Sequence, residues 1–338
     1  MKRWQLWLGV LISIIFLYRV LRDIDFALLW QDFIQANYIW ILPGVAVYFV
    51  AVWARAWRWH YLLRPIKAIP TRVMFPIVTI GYAGNNIYPA RAGEVIRAII
   101  LRRKLDVPVS ASLATIIVER IFDGVVMLAF VFLNLPELAR LTDRFTVIGS
   151  LTIQDVALWG SLAFIGALAV FLLAAMFPFQ TEKFAEKLTH RFLPARLRST
   201  AMDLTCRFIS GLESLRSPRD VLMVFVTSVV IWLLETVKYW FVMHAFNFQV
   251  GFFTLMLMNG VVNLATTIPS APGYIGTFDL PGIAVLQAYG VNREVAASYT
   301  FVLHFALWLP ITLLGLFYMA REGLHWNREV AEFRQVEA

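Results

Sequence analysis

Residues 85–97 read Asn85-Asn86-Ile87-Tyr88-Pro89-Ala90-Arg91-Ala92-Gly93-Glu94-Val95-Ile96-Arg97. They lie inside an otherwise apolar run, Val73 to Ile100, that also carries Pro76, Gly81 and Gly84. A proline removes a helical hydrogen bond and clashes with the preceding turn, so this run cannot be one straight membrane-crossing helix. A second apolar run, Phe252 to Tyr289, is interrupted in the same manner by Gly260, Pro269, Pro272, Gly273, Gly276, Pro281 and Gly282. Pro89-Ala-Arg-Ala-Gly93 aligns on Pro269-Ser-Ala-Pro-Gly273, one Pro-x-x-x-Gly frame displaced by 180 residues. After a four-residue insertion, Val107 to Ala114 falls over Val291 to Ser298, and each copy then enters a long apolar run.

Six further runs are uninterrupted: Trp4 to Tyr18, Tyr38 to Trp57, Ala111 to Leu135, Val156 to Phe177, Val221 to Phe246 and Val295 to Met319. Each approaches the length that spans a hydrocarbon layer of about 30 Å. Of the 338 residues 60% are hydrophobic and 15% charged, and the mean hydropathy is +0.69. An ordinary water-soluble domain, about a quarter charged, is excluded. The first run leads into Arg19-Val20-Leu21-Arg22 without a small-x-small cleavage site, which reads as a retained anchor and not a signal peptide.

The expected fold is therefore an all-α polytopic membrane protein with six full spans and two re-entrant or broken helical hairpins. If each broken run returns to the side it entered from, an N-inside, C-inside topology places 22 basic residues inside and five outside. Arg91, Arg120 and Lys238 remain within apolar runs. The net charge of +8 is then mostly topology, and neither a recognition-helix nor an RNA-binding strand pattern supports a nucleic-acid partner. Three crossings separate the two copies, so a duplicated unit would be inserted upside down, an arrangement found in secondary transporters. The repeat units are about residues 73–135 and 252–320, within one transmembrane domain over residues 1–320 and a cytoplasmic tail over 321–338. The alternative is that proline and glycine merely kink two ordinary spans. Between the repeats, residues 180–220 carry Phe184, Leu188 and Phe192, then Leu204, Phe208, Gly211 and Leu215, at helical spacing among charges. Such helices lie on a membrane surface or pack their apolar side on neighbouring helices.

A charge at the bilayer centre costs about 2.5 to 3.5 kcal/mol on insertion scales, so buried ionisable groups are functional candidates. Arg91, Glu94 and Arg97 at i, i+3, i+6 place Glu94 within reach of both arginines on a helix. A half-helix opening at Pro89 and Gly93 would add its unpaired N–H groups beside Arg91, a combination suited to a phosphate. In the following span, Glu119 and Asp123 flank Arg120, either as a structural ion pair with Arg91 or Arg97 or as a site for an anionic ligand. Glu235 and Lys238 share a face, and Lys238 could line a path. The second broken run offers the hydroxyls of Ser270 and Thr277, close approach at Gly273, and Asp279 as a partner for an arginine of the first run. Asn85, Asn86, Asn259 and Asn263 read as ties between helices. The lone Cys206 and the five scattered histidines give no metal-ligand spacing, and no nucleotide-binding or hydrolase motif is present; no cofactor is expected.

Three motifs, in order, carry a resemblance: Asn86-x-x-Pro89-x-Arg91-x-Gly93-Glu94-x-x-Arg97, then Val118-Glu119-Arg120-x-x-Asp123, then Ile268-Pro269-Ser270-Ala271-Pro272-Gly273-Tyr274-Ile275-Gly276-Thr277. The chain resembles, over roughly residues 5 to 320, the flippase-like membrane domain of lysyl-phosphatidylglycerol synthases. The resemblance implies a bacterial or archaeal inner-membrane protein that moves a polar or charged lipid between leaflets, with Arg91, Glu94, Arg97, Glu119, Arg120, Asp123, Pro272, Gly273 and Gly276 at motif positions. It implies a phospholipid, glycolipid or polyprenyl-type lipid as ligand, and a second copy or a lipid-synthesis enzyme as protein partner. The soluble aminoacyl-transferase domain that follows the membrane part in full synthases has no counterpart here, so aminoacyl transfer is not expected. An intramembrane lipid-modifying enzyme, with Glu119 or Asp123 as base, and an ion-coupled carrier of a small anion remain alternatives at this stage.

Overall fold

The computed structural model describes residues 3–22, 24–88, 91–134, 146–148, 151–192, 194–268 and 270–323. Pro89 and Pro269 of the repeated frame, Arg140, Arg144 and the tail beyond Gly323 lie outside the described residues. Among the described residues the regular structure is helical apart from a short antiparallel pair, Thr146–Ile148 with Leu151–Thr152.

Thirteen α-helices follow one another among the described residues: α1 (Arg3–Leu21), α2 (Phe26–Gln35), α3 (Ile41–Leu63), α4 (Thr71–Ile87), α5 (Ala92–Leu105), α6 (Val109–Leu133), α7 (Ile153–Met176), α8 (Pro178–Phe192), α9 (Ala195–Gly211), α10 (Pro218–Met243), α11 (Phe252–Ala265), α12 (Asp279–Ala288) and α13 (Arg293–Arg321). Their starts follow local chemistry. Asp25 accepts from the Ala27 and Leu28 amides to cap α2, Ser217 accepts from the Asp220 amide ahead of Pro218 on α10, and Asn292 accepts from the Glu294 amide on α13. The six uninterrupted runs fall on α1, α3, α6, α7, α10 and α13, helices of 19 to 29 residues. Among the described residues, three helices are long and apolar enough to cross a bilayer: Tyr38–Leu63, Pro218–Met243 and Arg293–Arg321. α6 is equally long, but Glu119, Arg120 and Asp123 interrupt it. A large share of the outward surface is apolar, with Ile14, Leu42, Trp159, Leu173, Phe305 and Leu313 all exposed. Such a surface is tolerated in lipid and not in water.

Both broken runs are helical hairpins, and each breaks at fewer places than its prolines and glycines suggested. α4 continues through Pro76, Gly81 and Gly84, and the first break is confined to the segment between Ile87 and Ala92. Gly260 lies inside α11, while Pro281 sits in the first turn of α12, where a missing N–H leaves no helical bond unmade. The second break is the segment from Thr266 to Phe278, with a 3₁₀ turn at Pro272–Tyr274 and left-handed backbone at Gly273 and Gly276.

The contacts between helices obey a two-fold exchange. α4 lies against α5 as α11 lies against α12, and α5 against α6 as α12 against α13. The first arm of each hairpin also packs on the last long helix of the other half, α4 on α13 and α11 on α6, while α3 and α10 pair with each other. Each half has its own apolar core. One is built around Val52, Trp59, Ile80, Ile96 and Phe122, the other around Tyr239, Leu255, Met258, Leu286 and Tyr299. α8 leaves Phe184, Leu188 and Phe192 exposed, whereas α9 packs on α6 and buries Ile209.

The α4–α5 crossing depends on Gly93. A Cβ there would sit 1.8 Å from the Gly81 carbonyl oxygen and 2.6 Å from the Asn85 amide, both main-chain atoms that cannot swing aside. Gly93→Leu is expected to destabilise the folded protein in detergent by about 3 kcal/mol or more. Gly166→Leu, where no atom lies within 4 Å, should leave the thermal transition in place; equal transitions for the two variants would refute this account.

Candidate functional site

The polar residues collect at the seam between the two cores. α3 contributes Arg55 and Arg58, which the sequence places at the start of a basic inner loop; the helix instead runs on to Leu63 and buries both. Arg97, likewise assigned to an inner segment, is buried on α5. Removing these three from the inner group still leaves 19 basic residues against five.

Arg58 is 1% exposed, and its two terminal nitrogens meet the two Asp123 carboxylate oxygens at 2.5 and 3.2 Å. Ser228 accepts from Arg58 at 2.8 Å, and the Trp232 indole donates to Asp123 at 2.8 Å. Glu119 accepts from Arg97 at 2.5 Å, with the Arg97 guanidinium 4.5 Å from the Trp59 ring centre. Glu94 meets Arg120 at 2.8 Å and Arg91 at 3.7 Å, and Arg120 reaches Asp123 at 3.5 Å. The expected set of Glu94 with both arginines of its own helix is thus rearranged: Arg97 turns to Glu119, and Arg120 takes its place beside Glu94. On the other side Glu235 holds Arg55 at 2.6 Å and also Lys238, whose ammonium lies 4.5 Å from the Tyr48 ring centre.

These groups border a cavity of about 130 Å³ lined by Arg55, Arg91, Arg120, Glu235, Lys238, Asn263, Thr266, Gly273, Tyr274, His304 and Trp308, together with Tyr48, Tyr82 and the asparagines Asn85 and Asn86. Both hairpin tips reach it. Arg91, itself in left-handed backbone as the residue before α5, donates to the Thr266 carbonyl at 3.2 Å and lies 5.9 Å from the Tyr274 ring centre. Trp308 donates to the Asn86 carbonyl at 3.4 Å, and Asn86 donates to Thr312 at 2.8 Å. The Arg91 and Arg120 side chains are 28% and 32% exposed and line the cavity together with the more deeply buried Arg55. Glu94 and Arg97 line a small adjoining recess with Gly93 and Asn85, whose side-chain oxygen is buried without a hydrogen-bond partner among the described residues.

Of the residues singled out from sequence, Arg91, Arg120, Lys238 and Gly273 line the cavity. Glu119 and Asp123 lie behind it as partners of Arg97 and Arg58. Asp279 does not meet an arginine of the first hairpin. It accepts from the Gly276 amide at 2.8 Å and pairs with His304 Nδ1 at 2.8 Å, because the tight turn at Gly276 folds the carboxylate back onto its own segment. Thr277 donates to the Tyr274 carbonyl within that turn, and neither it nor Ser270 borders the cavity. Arg55, Arg58, His304, Trp232 and Trp308 were not singled out. The spacing Arg55-x-x-Arg58 between tryptophans, which puts both arginines on one helical face, was the available signal for the first two. Among the described residues no three His, Cys, Asp or Glu side chains converge to hold a metal ion.

Two helices of the cavity wall, α3 and α13, also line a groove of about 620 Å³ with Phe33, Tyr38, Ile41, Val45, Phe301, Val302, Phe305, Ala306, Leu309 and Pro310. It bears no charged side chain. A polar, cationic cavity and an apolar groove therefore share two helices.

Comparison with known proteins gives the same direction. The family described as "Lysylphosphatidylglycerol synthase TM region" matches residues 6–315. The chain is 23% identical over 303 residues to a UPF0104 membrane protein of Methanothermobacter thermautotrophicus, covering 83% of this chain and 85% of that one. It is 20% identical to a UPF0104 membrane protein of Methanocaldococcus jannaschii, covering 90% and 91%. It is 24% identical to the glycosyltransferase AglD of Haloferax volcanii over 81% of this chain but 47% of that protein, so it spans about half of AglD's length. No solved structure matches. With nearly the whole chain matched and its motifs in order, this multi-pass helical membrane protein belongs to the lysylphosphatidylglycerol synthase TM region family.

Proposed function

We propose that the chain transfers an anionic lipid headgroup between the leaflets of a bacterial or archaeal inner membrane. The phosphate is held by Arg91 and Arg120 between the two hairpin tips, and the hydrocarbon tail remains outside, along the α3–α13 groove. The observation that carries this reading is two partly open arginines in a cavity whose wall includes α3 and α13, the helices that also line an uncharged groove. Arginine suits the task because its planar fork matches phosphate oxygens and stays charged in any surroundings. In the same reading the N- and C-termini face the cytoplasm, and six spans and two re-entrant hairpins form an inverted repeat within residues 1–320. The α8–α9 segment rests at the inner surface, and the tail follows. The contact exchange between the halves supports the repeat, and the exposed Phe184, Leu188 and Phe192 beside Lys183, Lys187 and Arg191 support the surface helix. The ligand is a phospholipid, glycolipid or polyprenyl-type lipid, and the protein partner a second copy or a lipid-synthesis enzyme.

The lipid-modifying reading loses its bases. Glu119 and Asp123 are each paired with an arginine behind the cavity, and neither lines it.

Reconstitution into liposomes with labelled lipids tests the proposal. Arg91→Ala combined with Arg120→Ala removes two charge-assisted contacts worth about 1.5 to 3 kcal/mol each and should slow headgroup transfer by about tenfold or more. Rates equal to wild type would end the assigned roles. Asp123→Ala should behave differently. It leaves Arg58 buried with only the distant Glu119 carboxylate at 3.9 Å and the Ser228 hydroxyl, at a cost of about 3 kcal/mol or more, and should lower the yield and thermal transition of folded protein, whereas Arg91→Ala should leave both near wild type.

A further inference from the structure

The buried ion pairs form two separate networks, and each carries one more cation than carboxylate. The first is an alternating chain, Arg91–Glu94–Arg120–Asp123–Arg58–Glu119–Arg97, with links of 3.7, 2.8, 3.5, 2.5, 3.9 and 2.5 Å. It holds four arginines and three carboxylates. The second joins Arg55, Glu235 and Lys238, two cations on one carboxylate. Both border the cavity, the first through Arg91 and Arg120, the second through Arg55 and Lys238.

A third titratable pair on the cavity wall is neutral. His304 Nδ1 faces an Asp279 oxygen at 2.8 Å, and its Nε2 faces the Gly273 carbonyl at 2.6 Å. A carbonyl only accepts, so Nε2 carries a proton, and one further proton lies between Nδ1 and the carboxylate. Whether that proton resides on the ring or on Asp279, the pair sums to zero. Tyr48, Tyr82 and Tyr274, the other ionisable groups lining the cavity, are uncharged phenols.

Among the described residues the site therefore presents an excess of two positive charges, one from each network, across a cavity between the two halves. An unbalanced charge removed from water costs several kcal/mol. We infer that the ligand's head carries two negative charges on phosphate, a phosphomonoester or a diphosphate, and bridges the two networks. A phosphodiester neutralises one network and leaves the other uncompensated. A head bearing an added ammonium group neutralises less still. This rests on the lipid-transfer reading for the nature of the tail, not for the charge of the head.

Native mass spectrometry of the full-length protein in a neutral detergent tests it. Chain-matched phosphatidic acid and phosphatidylglycerol compete at about pH 7, above the second phosphate ionisation at about 6; pyrophosphate is offered separately. Wild type should favour phosphatidic acid by about tenfold or more, the scale of one extra charge beside a cation at intermediate dielectric. Arg91→Gln should bring the preference to near parity, and Arg91→Lys, which keeps the charge, should preserve it. Lys238→Met should act as Arg91→Gln does, from the other network. Equal capture of the two lipids by wild type, or an undiminished preference in Arg91→Gln, overturns the two-charge inference and leaves lipid transfer standing. Pyrophosphate binding without lipid binding does the reverse. Failure to bind either lipid or pyrophosphate overturns both.

Discussion

Everything at the centre of this protein depends on making charge tolerable in a low-dielectric interior. Arg58 and Asp123 are 1% and 2% exposed, and neither would persist there alone. Each carboxylate of the cluster is shared by two cations, so removing any one of them weakens the pairing of two arginines or lysines at once. The aromatic rings of Trp59, Tyr48, Tyr82 and Trp232 lie over Arg97, Lys238 and Arg55 and supply further stabilisation where water is absent. Helices from both halves contribute to these networks: α3, α5 and α6 from the first, α10 from the second. The fold and the site are accordingly one problem, because the ionic links that satisfy the cavity wall also join α3 to α6 and α10.

The hairpins follow from the same constraint. A broken helix exposes backbone groups that hydrocarbon cannot satisfy, so it survives at this depth only where protein or a polar cavity covers the break. Here the two breaks cover each other. Arg91 of the first donates to a carbonyl of the second, and Trp308 seals the Asn86 carbonyl. The residual backbone polarity at Gly273 is taken by His304.

The sequence displayed a good part of this. The two interruptions, the Pro-x-x-x-Gly frame and the density of charge in the run containing Glu119, Arg120 and Asp123 are local features, and local features are readable in one dimension. Arg55 and Arg58 were misplaced because hydropathy falls at Trp57, whereas the helix continues for another turn and a half under the cover of α6 and α10. The partner of Asp279 was misassigned because His304 lies 25 residues away on α13, a pairing that only the turn at Gly276 brings about. Which carboxylate serves which arginine was beyond spacing altogether: Glu94 could reach either neighbour on α5, and the choice was made by α6.

The two halves are equivalent in their contacts but not in what fills them. The interface of α6 with α10 is closed by Val126, Met127, Phe130 and Trp232, with Met256 of α11 behind them. Its counterpart under the two-fold exchange, α13 with α3, is the apolar groove of about 620 Å³. Symmetry alone would open both sides or neither, so the difference lies in the side chains that line each interface. Trp232 also donates to Asp123, so the residue that closes its side is tied to the ionic network as well. In the proposed transfer, a lipid whose head occupies the central cavity would lay its hydrocarbon tail along the open interface, and the path follows from which of the two symmetry-related interfaces its side chains fill.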